Sequence, residues 1–436
     1  MRRHKRTIIA RRKKQARAIL LCLMGGASAA RAQSMLAPVA PSYSTTPPAV
    51  LDTEFGESGT VKTWLDNALP SPADLFNWGP VVLHPHVDYS VTYGSGLESQ
   101  PGDQNTSVIQ RFTPGVLFNI GTHWTLDYAP TFVFYSNSQL RDAVNQSVTL
   151  NWGTSFDDWR LNLSQSYQSS SDPLVQTGTQ TATENYNTIL DASYAFNSKM
   201  SVDLNFNQSV NSADQFSSST TWNTLDYLNY QFWPRLTAGV GLGVGYDSVS
   251  NGPNMSHETA QVRVDWRVAN KLSLNVHGGG EDRQFIHSDE GNLISPTYGA
   301  AIVYTPLDFT AINLSLDRNV SPAITTGAQA SDATTLSLSL NQRLLKRLQL
   351  SVIGTYIRSE YINSVSGPLA LNFPLSAAVF NQSRTDTYYS LNTQLSLTLL
   401  RRVVLSGTYQ YSENMSTVAG FGFSSSQVGI DISYRY

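Results

Sequence analysis

Two neighbouring stretches place charge at every second residue. One reads Arg263, Asp265, Arg267; the other holds Glu281 and Arg283. On a strand, residues two apart share a face. Five charges on one face of consecutive strands can pair with one another, or line a passage and set which ions enter it. A second constellation is His84, His86 and Asp88, again spaced by two. Imidazole and carboxylate ligands must converge at about 2 Å from a metal, whereas same-face neighbours on a strand stand about 7 Å apart. Only two of the three could readily converge, so no metal site is assigned. His257, His277 and His287 fall near the far end of one hairpin. Nucleophilic catalysis needs a nucleophile, a base and an orienting group in contact, and no spacing singles out such a set. The sequence holds no G-x-S-x-G, no H-E-x-x-H and no phosphate loop. Neither an enzyme nor a cofactor is expected.

The charged residues need strands to hold them, and from residue 81 onward apolar residues recur at every second position. Val428, Ile430, Ile432, Tyr434 and Tyr436 alternate with Gly429, Asp431, Ser433 and Arg435. Val262, Val264, Trp266 and Val268 alternate with Arg263, Asp265 and Arg267; Met200, Val202, Leu204 and Phe206 alternate with Ser201, Asp203 and Asn205. Each such segment is a strand with one apolar and one polar face. The same phase turns Arg111, Asp127, Arg160, Asp191, Asp203, Asp317, Arg343, Arg384, Asp386 and Asp431 to the polar side. Short turns fall near 121–123, 157–158, 197–199, 233–235, 270–271, 306–308, 346–347 and 401–402. Longer polar connections lie between them.

Long loops alternating with tight turns predict an all-β, antiparallel up-and-down transmembrane barrel over residues 81–436. Eight tight turns with a strand before and after give about 18 strands (16–18), an even count with both termini periplasmic. A soluble sandwich also alternates, but its core would need apolar inward residues; here they are mostly Ser, Thr, Asn and Gln. Aromatics near strand ends, as at Trp152, Trp159, Tyr230, Trp233, Tyr434 and Tyr436, match interface girdles. The clearest aromatics point outward, which gives no track for sugar rings. Pro114-Gly115 and Pro130 fall inside strands and opposite each other. Proline cannot donate to a ladder, so a bulge or kink is expected there.

The N-terminus sets the compartment. Residues 2–17 carry nine Lys or Arg, an apolar stretch runs from Ala18 to Met24, and Ala30-Arg31-Ala32 gives an A-x-A cleavage pattern. These are the parts of a secretory signal, here residues 1–32 with cleavage set by Ala30 and Ala32. That segment holds ten of the 29 Lys and Arg and none of the 32 Asp and Glu, so the remainder carries 19 basic and 32 acidic groups, a charge of −13. Such a balance argues against a nucleic-acid partner. The single cysteine, Cys22, lies in the signal, so the mature chain has no disulfide. Residues 33–80 read as a periplasmic leader, Pro/Ser/Thr-rich and disordered at first; residues 59–69 could form one short helix that plugs the mouth or docks elsewhere, and a mobile leader fits the sequence equally well. The connection from Asn363 to Asn381 is long and apolar, which predicts a lumen constriction or a contact with a neighbouring subunit.

The signal, the hairpin rhythm and the terminal Tyr434-Arg435-Tyr436 resemble bacterial outer-membrane β-barrels. The polar interior is similar to porin-like barrels associated with exopolysaccharide export. The resemblance implies an outer-membrane location, contact with membrane lipid, and a C-terminal assembly signal at Tyr434 and Tyr436 read by the barrel-assembly machinery. It leaves a homo-oligomer open. The leading functional expectation is a porin-like channel for small hydrophilic solutes or a secreted glycan, with Arg263, Asp265, Arg267, Glu281 and Arg283 as its selectivity region. The alternative is a non-conducting scaffold or anchor of an envelope or exopolysaccharide export complex; an outer-membrane hydrolase comes third.

Overall fold

A computed structural model describes residues 76–98, 104–172, 180–214, 217–250, 252–286, 291–323, 328–364, 384–418 and 420–436, all within the compact unit Pro38–Tyr436. The expected signal peptide, most of the leader, His287 and the 363–381 connection beyond its first two residues lie outside them. The strands are β1 (Asn77–Trp78), β2 (Val81–Glu98), β3 (Gln104–Ile120), β4 (Trp124–Tyr135), β5 (Ala143–Phe156), β6 (Trp159–Ser170), β7 (Thr183–Ala195), β8 (Met200–Ala213), β9 (Ser219–Trp233), β10 (Leu236–Val249), β11 (Asn254–Ala269), β12 (Leu272–Ile286), β13 (Leu293–Leu307), β14 (Thr310–Pro322), β15 (Ala328–Leu345), β16 (Leu348–Ser364), β17 (Thr385–Leu400), β18 (Val403–Ser416) and β19 (Phe423–Arg435). From β2 on, each strand pairs antiparallel with the next. β19 pairs back onto β2 from Ser426↔Ser95 to Arg435↔His86. The barrel is closed and has 18 strands, so each of β2 to β19 has a strand partner on both sides.

The eight tight turns sit where the hydrophobic period stops, and each spans two to four residues. In the two-residue turn Asp157-Asp158, Asp157 takes φ 47°, as mirror-type hairpin turns require. The start of β2 and the end of β19 lie at this tight-turn end. There Phe76 packs on the ring of Tyr436 with centroids 5.1 Å apart, and the Arg402 guanidinium lies 4.0 Å from the same ring centroid.

Exposure separates the two faces. Along β10, Leu242 is 68% exposed whereas Asp247 is fully buried. Directly paired residues share a face, so the ladders carry this assignment round the barrel: Val240, Val262, Val276 and their partners form an apolar outer band, and Gly239, Arg263 and His277 face the lumen. Aromatic pairs bound the band. Trp124–Trp152 and Trp159–Tyr194 lie toward the tight turns, and Tyr167–Tyr186 and Trp222–Tyr246 toward the loops. An apolar band of this extent is unfavourable against water and suits hydrocarbon.

At the prolines the ladder opens without the bulge that is one of the two expected irregularities. Pro114 and Pro130 are opposite, and the β3–β4 ladder is open from 113 to 115, yet Phe112↔Phe132 and Val116↔Tyr128 keep one register. Two residues without N–H groups leave a gap in the ladder and require no extra residue. The register shifts lie elsewhere, beside tight turns at Leu236/Thr237, Trp266/Ala269, Tyr304/Leu307, Arg343/Leu345 and Thr398/Leu400, and at Gly94/Leu97 near the loops.

Candidate functional site

The lumen face of β10 carries Gly239, Gly241, Gly243 and Gly245 in succession, followed by Asp247. A strip without side chains lets neighbouring groups lie flat across it. A Cβ on Gly241 would stand 2.5 Å from the Tyr227 ring, and one on Gly239 2.3 Å from Asn229 Oδ1. Tyr227 donates its hydroxyl to Gln261 Oε1 at 2.8 Å, and Gln261 Nε2 donates to Thr297 Oγ1 at 2.9 Å. Above this layer lies Arg263. Its guanidinium sits 4.1 Å from the Tyr227 ring centroid, with Nη2 2.7 Å from Asp203 Oδ2 and 2.8 Å from Asn229 Oδ1. Its Nε is 3.3 Å from Asp265 Oδ2.

A second network closes the wall nearer the loops. The buried Arg283 donates from Nη1 to Asp247 Oδ2 at 2.6 Å, from Nε to Glu281 Oε1 at 2.9 Å, and from Nη2 to the carbonyl of Val320 at 3.0 Å. Thr221 donates to the other Asp247 oxygen at 2.6 Å, and His257 Nδ1 lies 3.5 Å from Asp247. A charge this deep costs several kcal/mol unless it is paired and hydrogen-bonded, and here every partner of Arg283 is an acceptor. The Val320 contact has a structural cause. β13 pairs with β14 only as far as Tyr298↔Arg318, whereas β14 and β15 continue together to Pro322↔Ala330. The free part of that hairpin packs Val320 and Ala330 on Met255 and Phe285 of the lumen face. Two more apolar clusters, Leu97–Ile109–Val133–Leu140 and Tyr388–Phe423 with Ile357, lie on lumen-facing positions near the loops.

The five residues expected as one selectivity region therefore occupy three places. Arg263 and Asp265 join one network, Glu281 and Arg283 another, and Arg267 stands exposed near the tight turns. Arg111 lies 3.7 Å from Asp172, and Arg384 is bound by Asp386 and stacks 3.7 Å from the Phe421 ring centroid. His86 contacts Asp127 at 3.1 Å and Asp88 at 3.6 Å, while His84 approaches the Tyr436 carbonyl oxygen at 3.4 Å. Among the described residues no group of three or more such ligands could hold a metal ion. Sequence reading passed over Asp247, Tyr227 and Asn229. The alternating glycines of β10 were the available signal, because they mark where large side chains can cross the wall.

The closed sheet, the apolar band between aromatic rows and the polar lumen face define a β-barrel of the outer-membrane type. Residues 246–436, which contain β11 to β19, match the family described as "Putative beta-barrel porin 2". Similar solved structures include OccAB2 of Acinetobacter baumannii (10% identity, TM-score 0.44, 81% of this chain and 98% of that one). Others are OpdO of Pseudomonas aeruginosa (12%, 0.41, 81% and 97%) and the siderophore receptor PirA of the same organism (11%, 0.36, 80% and 80%). No curated protein matches the chain.

Proposed function

We propose that the protein is a water-filled channel for small hydrophilic solutes, with its tight turns and both barrel termini on the periplasmic side. The observation that carries the reading is the openness of the lumen wall near the tight turns. Side chains of Asp127, Asp203 and Asp265 are 39%, 37% and 46% exposed, although they face inward. A barrel filled by its own side chains would bury these carboxylates. The orientation rests on loop length, since short turns are periplasmic in barrels of this kind. Passage of a glycan has less support, because the inward Tyr227, Phe285, Tyr388 and Phe423 are buried and offer no ring face for stacking. Cleavage after Ala32 belongs to the same proposal, and N-terminal sequencing should find Gln33 first.

One observation favours the second reading, a non-conducting anchor of an envelope complex. The β14–β15 hairpin and three apolar clusters narrow the loop end. Planar-bilayer recording of the purified barrel separates the two. Discrete conductance steps are expected; a folded barrel that stays silent at all voltages would overturn the channel reading and leave the anchor.

A further inference from the structure

Charge in the barrel is arranged by height above the tight turns. Asp127, Asp191, Asp203, Asp265 and Asp431 all face the lumen, and each lies three or four residues from the tight-turn end of its strand. Other lumen positions at that height hold Asn162, Asn229, Asn275, Asn313 and Asn341, the larger His84, Leu117 and Val303, or small side chains, and no Lys or Arg among the described residues. Arg263, one inward position higher, reaches Asp203 and Asp265 and offsets a single charge, and His86 contacts Asp127. Below the ring the sign reverses. Arg160, Arg267, Arg343 and Arg435 are lumen-facing within two residues of the strand ends, and the eight tight turns add seven Lys or Arg against three Asp.

We infer that these two layers in series make the channel a rectifier that favours cations inside and collects anions at the tight-turn mouth. The inference rests on the channel reading above. Charges lining a narrow low-dielectric passage concentrate their counterions. The acidic ring fills with cations and the basic rim with anions. A potential positive on the loop side drives both populations toward the boundary between the layers, which raises the local ion density and the current. The opposite potential draws both away and depletes the boundary. The asymmetry depends on layers that mobile ions do not screen, so it belongs to dilute salt, where the screening length is about 10 Å at 0.1 M and about 3 Å at 1 M.

The test is a current–voltage curve of single channels in 0.1 M and 1 M KCl. Insertion direction is fixed by a Ser198→Cys turn residue labelled from one side with an impermeant maleimide. The expected current is about 1.5-fold or more larger with the loop side positive at 0.1 M, and near symmetric at 1 M. The triple variant Asp127→Asn/Asp191→Asn/Asp431→Asn should lose most of the asymmetry and shift the reversal potential in a KCl gradient toward anions. A second variant, Arg160→Gln/Arg267→Gln/Arg343→Gln, should also lose asymmetry but shift the reversal potential toward cations. The two variants move the same readout for opposite reasons, which a general loosening of the barrel would not do. A linear curve at 0.1 M, or asymmetry of the opposite sign, in an open channel overturns the rectifier and leaves the channel standing. A folded barrel without conductance overturns both.

Discussion

Arg263 on β11 reaches across the glycine face of β10 to Asp203 on β8, with Nη2 2.7 Å from Oδ2. The link crosses two intervening strands and runs over Tyr227 and alongside Asn229, which bonds both of its ends. Arg263 is also the only cation bound to the Asp203–Asp265 part of the acidic ring among the contacts described. Arg263→Gln should therefore make the lumen more negative and move the reversal potential in a KCl gradient toward cations. Its ion pairs are partly solvated, so the stability change should stay within about 1 kcal/mol, measured as the denaturant midpoint of barrel unfolding. An unchanged reversal potential would place Arg263 off the ion path.

Gly241 tests the flat wall. An added methyl would stand 2.5 Å from the Tyr227 ring, and the backbone of a closed sheet cannot yield as easily as the ring can swing. Gly241→Ala should push Tyr227 inward, breaking its bond to Gln261 and its stacking with Arg263. The expected readout is a lower single-channel conductance with a barrel that still folds. Tyr227→Ala on the Gly241→Ala background should restore conductance; failure to restore it would mean that the substitution acts on the sheet and not through the ring.

Arg283 couples buried charge to the position of a hairpin. It bonds Asp247, Glu281 and the Val320 carbonyl. Arg283→Met leaves two carboxylates buried without their cation, which costs about 3–5 kcal/mol. It also frees the end of the β14–β15 hairpin from the lumen face. We expect a lower unfolding midpoint together with faster protease cutting near residues 319–333. Adding Asp247→Asn and Glu281→Gln should recover much of the stability but not the protection. Recovery of both would show that the hairpin is held by its apolar contacts on Met255 and Phe285 alone.

The outline of the barrel was legible because a period of two is a local property. Val428 to Tyr436 reveals a strand and its outer face without knowledge of any neighbour, and Asp157-Asp158 or Arg401-Arg402 interrupts the pattern where a turn must be. Contacts between distant strands are not local. Nothing adjacent in sequence says that Asp203 and Arg263 meet, because that depends on register through β9 and β10. The departure of β14 from β13 past Arg318 was likewise hidden, since Val320 continues the same alternation as Leu314 and Leu316 while packing on the lumen face. The proline gap was half legible: opposition follows from the turn at 121–123, but the choice between a bulge and an open ladder depends on the rest of both strands.

The last prediction concerns the seam where the chain closes on itself. Tyr436 donates its backbone N–H to the Pro85 carbonyl at 3.1 Å, and its ring lies between Phe76 and Arg402. β19 and β2 are the most distant strands in sequence that pair, so their junction closes the largest loop in the fold and gains least from local chain connectivity. Contacts at its tight-turn end should therefore matter beyond their number. Phe76→Ala removes the ring contact without touching the C-terminal strand. It should lower the temperature at which the barrel loses its compact mobility on semi-native gels, while refolding into detergent micelles from urea still proceeds. Tyr436→Ala should lower that temperature further, since Arg402 also loses its partner. If Phe76→Ala leaves the transition unchanged while Tyr436→Ala lowers it, the segment before β2 contributes nothing to closure, and the seam is held by the ladder and Arg402 alone.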